Sequence, residues 1–359
     1  MKIAFINIYQ GLAYRGAERS TEELCLRLGV QNRITLISAG NTNVPEKVEK
    51  IKIPILLPYL PDSSFSFFRR FYLDLWSLQI LIFTLRCLPY LLKRNFDILI
   101  PVNGGWQTVI IKLVTRIKRS KMVVIGRAGI GRDDAWNLLT CPDLFIALTG
   151  KAEKWAGKIK PGVKIVRIPN GIDLEKFHPR VKPVKLDLPR PVILAVSALT
   201  ENKRLKLTIN AVAAMEKPVS LLIVGRGPLK ESLQNLGRQL LGRDRFMITQ
   251  AGAEDMPAFY TAADIFTMVS VDTEAFGNVY LEALACNLPV AAPDDENRRE
   301  IIGPAGLYCD PRDPRTYAQV LEEALSRNLG NIPRSRAEQF DWKRIIKKYD
   351  KVLKQLMKR

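Results

Sequence analysis

Two carboxylates eight residues apart, Glu274 and Glu282, bracket a Phe-Gly pair and the start of a helical run in "EAFGNVYLEALACNLPVAA" (274–292). The preceding run "ADIFTMVS" (263–270) has the composition of a buried strand, so residues 270–275 read as the loop at its carboxyl end. The helix is expected to begin near Gly277 and Asn278. Its first N–H groups lack intrahelical partners and the macrodipole makes that end positive, a natural seat for a phosphate or diphosphate. Gly277 lets a phosphate approach backbone that a side chain would shield. Capping by Asn278 is the competing use of that end. A diphosphate repels a carboxylate, so Glu274 is expected to face hydroxyls. Glu282, one to two turns into the helix, suits a ribose diol. An anion-binding helix start with polyol acceptors describes a nucleotide-sugar site. Two solvated acids is the plainer alternative.

Positioning such groups takes strands and helices in alternation. Ile/Val-rich runs at 2–8, 33–38, 97–101, 121–126, 143–148 and 163–169 read as strands buried on both faces, with helical runs at 17–29, 105–117 and 150–158 between them. Proline and charge then crowd "HPRVKPVKLDLPRP" (178–191), the composition of a linker. The alternation restarts with strands at 192–199, 219–225, 245–252, 263–270 and 288–293 and helices at 204–215, 228–240 and 278–286. Two βαβ series predict an α/β protein of two Rossmann-like, doubly wound domains facing a cleft, with ligands beyond the carboxyl ends of the strands. The 359 residues agree, at roughly 150 residues per domain. The domains are placed at 1–175 and 176–341. A basic closing helix, 342–359, carries an apolar face (Ile345, Ile346, Tyr349, Val352, Leu353, Leu356) expected to pack back on the first domain.

The formal net charge is +19. Residues 1–180 carry 28 Lys/Arg against 14 Asp/Glu and the remainder 27 against 22, so the excess lies in the first half. That suggests an anionic partner there: nucleic acid, acidic lipid or a phosphorylated substrate. The basic residues are dispersed and no RNP, KH or helix-turn-helix pattern accompanies them, so nucleic acid is not expected. Five scattered cysteines without CxxC read as buried free thiols of a reducing compartment. "MKIAFINIYQG" reads as a first strand, not a leader.

The segment 65–94 is strongly apolar, but its longest uncharged run, Leu75 to Leu85, falls short of the ~18 residues that span a bilayer. At about 100° per residue, Ser77 and Thr84 lie on one side and Gln79 and Arg86 nearly opposite. Two polar stripes argue against a helix lying on a membrane and for one packed in a domain. The aromatic-basic start (Phe65, Phe67, Phe68, Arg69, Arg70, Tyr72) is the part suited to touch a membrane.

The 274–292 segment resembles the E-x7-E segment of glycosyltransferase family 4, retaining enzymes of the GT-B fold. Other segments follow in the same order. "RGAERSTEELCLRL" (15–28) resembles that family's N-terminal G-G-A-E loop and helix, and "VRIPNGIDLEKFHP" (166–179) its domain-junction motif. "LLIVGRGPLKESL" (221–233) resembles its donor-domain strand and glycine turn, "MPAFYTAADIFTMVS" (256–270) its Y-x-x-A-D strand, and "FDWKRIIKKY" its closing helix. The resemblance implies that Glu274 contacts the transferred sugar and that the backbone of Phe276, Gly277, Asn278 and Val279 lines sugar and diphosphate. It further implies that Glu282 takes the ribose, that Lys203 binds the diphosphate, that Gly225 belongs to the donor site, and that Gly16 lies near acceptor and phosphates. No obligatory metal or other cofactor is implied.

Two departures from the family pattern matter. Ala198 stands where the family usually has arginine, and Arg204 where it often has glycine, so Lys203 and Arg204 together are expected to supply the positive charge. The family's N-domain histidine is missing; Gly126-Arg127 occupies about that place, and the one histidine, His178, lies at the junction. The leaving phosphate is then expected to accept the acceptor's proton. Arg127 and Arg132, with Asp133, become candidates for the acceptor or leaving phosphate. The acid pairs Asp133-Asp134 and Asp294-Asp295 lack a third ligand and read as loop or helix-cap acids.

These readings converge on a retaining hexosyltransferase of the cytoplasm or the inner membrane face. Its donor is a nucleoside-diphosphate sugar and its acceptor a glycan or lipid-linked molecule on an anionic surface. The alternatives are an epimerase or sugar-phosphate synthase of the same fold, or a silent binder of sugar nucleotide or nucleic acid.

Overall fold

The computed structural model describes residues 1–13, 15–42, 44–55 and 72–358. Phe65, Phe67, Phe68, Arg69 and Arg70 of the aromatic-basic segment lie outside the described residues. The chain forms two compact units, Met1–Pro169 with Ile345–Arg359, and Asn170–Arg344.

Unit 1 is built on a parallel sheet of β1 (Lys2–Asn7), β2 (Arg33–Ser38), β3 (Glu49–Lys52), β4 (Ile98–Pro101), β5 (Lys121–Ile125), β6 (Leu144–Ala147) and β7 (Ile165–Arg167). Their order is β3-β2-β1-β4-β5-β6-β7. The β-branched runs of β1, β2 and β4 are buried on both faces because helices cover both sides. Those helices are α1 (Gly16–Leu28), α2 (Leu75–Lys93), α3 (Trp106–Lys118), α4 (Arg132–Leu139) and α5 (Gly150–Ile159). Asp74 starts α2 by accepting hydrogen bonds from the Trp76 and Ser77 amides, both 3.1 Å.

Unit 2 holds β8 (Val192–Val196), β9 (Ser220–Val224), β10 (Phe246–Thr249), β11 (Ile265–Thr267), β12 (Val290–Pro293) and β13 (Gly306–Cys309), all parallel, in the order β10-β9-β8-β11-β12-β13. Its helices are α6 (Leu205–Ala213), α7 (Lys230–Leu241), α8 (Met256–Thr261), α9 (Asn278–Ala285), α10 (Glu296–Ile302), α11 (Pro314–Ser326) and α12 (Ile332–Glu338). The closing helix α13 (Trp342–Met357) belongs to unit 1 from Ile345 onward, and Ile345, Tyr349, Leu353 and Leu356 are buried.

Each sheet grows outward in both directions from its first strand, so the chain reverses direction between β1 and β4 and again between β8 and β11. At such a switch point the loops leaving the two central strands diverge and leave a crevice at the carboxyl ends.

The Pro-rich run 178–191 is not the linker its composition suggested, because the units part between Pro169 and Asn170. The run lies along unit 2: the Val184 amide donates to Ala258 O (3.1 Å), Ser220 Oγ donates to Pro189 O (2.6 Å), and Leu188 is buried. Proline serves there as a residue that needs no ladder partner.

Candidate functional site

The site forms at the switch point of unit 2, where the loops after β8 and β11 meet. β8 leads into a 3-10 turn, Glu201–Lys203, and β11 into the loop 268–277 before α9. The Val271 amide donates to Asn202 O (3.0 Å), joining the two loops. Across this junction the Lys203 ammonium donates to Glu274 Oε2 in a short ion pair, with side chains 16% and 21% exposed. The pair is thus within reach of solvent and partly desolvated, where a charge is worth more than on an open surface.

Behind Glu274, α9 begins at Asn278. Its N-cap is Gly277 (φ 87°), and no side chain caps the end. This φ favours glycine, and a Cβ there would meet the Tyr280 ring at 2.8 Å. Asn278 does not cap; its Oδ1 accepts from Asn170 Nδ2 (2.8 Å). The end of α9 therefore keeps the electropositive character the sequence pattern predicts. Phe276 turns its ring inward against Phe340 (6.2 Å between centroids), leaving backbone rather than side chain at the turn, and Val279 is half-buried.

Several expected residues sit differently. Glu282 is buried and Tyr260 Oη donates to its Oε2 (2.8 Å), so it faces the interior of unit 2 in this state. Gly225 follows β9 where a Cβ would lie 1.8 Å from Ser197 O, so strand packing alone accounts for the glycine. Arg204 does not stand beside Lys203 as a second charge for a ligand. Its Nε donates to Val269 O (2.7 Å) and Nη2 to Ser270 O (2.8 Å), holding the loop that carries Glu274. It does so from a left-handed backbone, φ 51°, a conformation costing a non-glycine residue about 1–3 kcal/mol. Its two bonds to carbonyls offset that strain.

The sequence reading passed over Arg298, on α10 and 1% exposed. Its Nη1 pairs with Asp295 Oδ2 (3.0 Å), and its Nη2 donates to Ser270 Oγ (2.7 Å), Ser270 O (3.1 Å) and Val271 O (3.0 Å). Asp295 also caps α10 by accepting from the Arg298 amide (3.0 Å), the helix-cap role expected of it. Two guanidiniums, Arg204 and Arg298, thus grip one loop and share the Ser270 carbonyl. Arg334 of α12 grips the far end of α9 in the same way, donating to Ala285 O (2.7 Å) and Phe177 O (2.6 Å). A run of arginines among polar residues carries no pattern of its own; only the carbonyls they meet reveal the role.

In unit 1 the corresponding switch point lies between β1 and β4. Gly16 is the first residue of α1. Arg127, expected to be catalytic or to bind the acceptor, is committed to the interior. Its Nη1 donates to Ala17 O (2.7 Å) and Thr21 Oγ1 (2.5 Å) of α1, and burial lowers its pKa despite Tyr349 and Glu18 nearby. The loop after β5 packs on the first turns of α1, where one carbonyl and one hydroxyl accept from a guanidinium that has left water. Arg132 and Asp133 are placed outward: Asp133 Oδ1 accepts from Tyr72 Oη (2.8 Å), and the Arg132 guanidinium lies over the Tyr72 ring at 5.0 Å.

Asp134, next along α4, is buried, and its carboxyl is pushed up to about 7 by burial and by the charge of Asp133. A raised acid is protonated in the folded chain while the unfolded chain ionises from its ordinary value of 3.8. Stability linked to this group is therefore full below pH 4 and declines as pH rises toward 7. Asp134→Asn is expected to remove that decline. Urea midpoints of wild type and variant should diverge between pH 4 and 7 and run parallel above; parallel curves across the whole range would refute the assignment.

Residues 190–327 match the family described as Glycosyl transferases group 1. A GDP-mannose-dependent alpha-(1-6)-phosphatidylinositol monomannoside mannosyltransferase of Mycolicibacterium smegmatis is 30% identical over 191 residues, covering 48% of this chain and 50% of the relative. An N-acetylgalactosaminyltransferase of Campylobacter jejuni, named for a diphospho-undecaprenol-linked substrate, is 30% identical over 181 residues, 48% of each chain. The match thus spans about half the length of these curated relatives.

Among solved structures, sucrose-phosphate synthase from Thermosynechococcus elongatus superposes with a TM-score of 0.81 at 20% identity, over 99% of this chain and 98% of that one. Anabaena HepE in complex with UDP superposes at 0.76 and 16% identity, over 99% and 100%. The fold is that of the GT-B glycosyltransferases.

Proposed function

We propose that the protein is a retaining glycosyltransferase that moves a hexosyl group from a nucleoside-diphosphate sugar held by unit 2 to an acceptor held by unit 1. The observation that carries this is the Lys203–Glu274 pair beside the uncapped start of α9, at the switch point of unit 2. The donor diphosphate replaces Glu274 as the counter-ion of Lys203 and lies against the first amides of α9. Glu274, released, accepts hydrogen bonds from the sugar hydroxyls.

The bond from the sugar's anomeric carbon to the phosphate oxygen breaks, and Lys203 with the α9 end stabilises the developing charge. The acceptor oxygen bonds the same carbon on the same face, and its proton passes to the leaving phosphate. His178, whose Nδ1 accepts from the Arg180 amide in the Pro-rich run, takes no part. Lys203 and the helix end supply the charge that a divalent cation supplies elsewhere, so no metal is required. Arg132 and Asp133 meet the acceptor.

The acceptor is a lipid-linked or otherwise anionic glycan at the cytoplasmic face of the membrane. The basic first half of the chain supports this, as do relatives named for phosphatidylinositol mannoside and diphospho-undecaprenol substrates.

Thermal-shift screening against UDP-, GDP- and ADP-hexoses tests the donor. A ligand at a hundred times its Kd stabilises the folded state by about 2.7 kcal/mol. That should raise the melting point by roughly 5 °C. If none of the three moves it, the reading fails. An epimerase would instead consume donor without acceptor.

A further inference from the structure

Helix α2 is apolar on both sides: Ile80, Phe83, Cys87 and Leu91 pack into the core of unit 1, and leucines and an isoleucine also line its outer face. Its polar residues Ser77, Gln79 and Thr84 face the core of unit 1 and are satisfied there: Ser77 Oγ donates to Asp74 Oδ2 (2.7 Å), Tyr9 Oη donates to Gln79 Oε1 (3.3 Å), and Thr84 Oγ1 donates to Ile80 O (2.7 Å). Its outward face carries Leu75 (62% exposed), Ile82, Leu85 (47% exposed) and Leu92. The sequence reading rejected a surface role because two polar stripes flanked the helix. The fold buries both the Ser77–Thr84 stripe and Gln79, and leaves Arg86 outside. α3 packs beside it, with the Lys118 ammonium donating to Leu92 O (2.9 Å), and adds exposed Leu113 and Ile117.

Neither helix contains Asp or Glu. Arg86, Lys93, Arg116 and the cap residue Arg119 are exposed along and at the ends of the same surface. Three acids that these helices or their flanking residues meet are already engaged: Asp74 caps α2, Glu49 pairs with Arg94, and Asp143 pairs with Lys112. By length and composition α2 is also apolar enough to cross a bilayer, yet its inner face belongs to the core.

We propose that the outer face of α2 and α3 is a docking surface for an anionic lipid bilayer. The helices lie in the interface, Leu and Ile enter the acyl boundary, and the cations reach the headgroups. A second copy of the chain fits less well, because two such faces would bring like charges together without an acid to answer them. The inference deepens the membrane-face reading by naming the surface. It depends on neither donor nor glycosyl transfer.

The test is co-sedimentation of the purified full chain with vesicles of phosphatidylcholine alone or containing one-third phosphatidylglycerol, with no donor or acceptor. Binding should favour the anionic vesicles and weaken with salt. Ile82→Glu/Leu85→Glu should lower partitioning by roughly tenfold or more, and Arg116→Glu should lower it at low salt only. Both changes are at exposed positions, so the variants should keep the wild-type melting point and its shift by nucleotide sugar. Unchanged partitioning of the double variant would overturn the proposal. So would a wild-type dimer that the variant dissolves without vesicle binding. A failed donor screen with intact vesicle binding would sink the transferase reading alone.

Discussion

Lys203→Ala is expected to lower kcat by about 10²–10³-fold, the typical cost of removing one preorganised group from a developing anion. The structure gives the reason in three steps. The ammonium sits at the switch point where the loops after β8 and β11 meet. It is held there by Glu274 in a partly desolvated pair, so it reaches a ligand without first being ordered. The neighbouring Arg204 does not substitute, since it spends its Nε and Nη2 on the carbonyls of Val269 and Ser270.

Glu274→Gln should cost activity on a similar scale through lost sugar contacts, and it also removes the counter-ion that the diphosphate must displace. The two effects are not independent, so the double variant should lose much less than the product of the single losses. Folding should change modestly in either variant, because the pair is still reached by water, where the partner left behind can be hydrated. Steady-state kinetics with the donor found by thermal shift, together with melting curves, reads both. Lys203→Ala with turnover within threefold of wild type would remove the pair from the chemistry.

How much of this was legible beforehand depended on what each residue has to satisfy. Strands buried on both faces must be continuous and apolar, so β1, β2 and β9 announced themselves within a residue, and β8 was read three residues too long at its end. The edge strand β3, "EKIK", is largely exposed and had no such signal. The α9 turn was readable because a left-handed residue at a helix start nearly demands glycine, and Gly277 supplies it. Arg127 misled because its position in sequence matched a functional one, while its guanidinium is captured by the carbonyl of Ala17 and the hydroxyl of Thr21. Helix α2 packs in unit 1 as expected, but its apolar outer face was not readable, for a related reason. A helical wheel shows which side chains share a stripe, and only the fold shows which stripe is turned inward. The arginines that hold the loop after β11 were invisible for want of any local pattern, since their partners are backbone oxygens distant in sequence.

Arg298→Met should therefore be the most destabilising single change near the site, at about 3–5 kcal/mol. The guanidinium is essentially without solvent contact, so its removal deprives Asp295 Oδ2, Ser270 Oγ and Val271 O of a donor at once, while Ser270 O keeps only its bond from Arg204. For a unit of this size the melting point should drop by roughly 10 °C. Arg204→Met meets the same Ser270 carbonyl but from a half-buried position, and it relieves a strained backbone only if glycine is used instead. Its loss should be nearer 1 kcal/mol, and Arg204→Gly should lie close to it. The contrast separates loop anchoring from general charge removal, since both variants delete one arginine from a protein of net charge +19. Well below its melting point, Arg298→Met should also bind donor more weakly, because Glu274 hangs from the loop that Arg298 fixes. If both variants melt alike, burial does not rank these contacts, and the loop is held by its backbone bond to Asn202 rather than by the arginines.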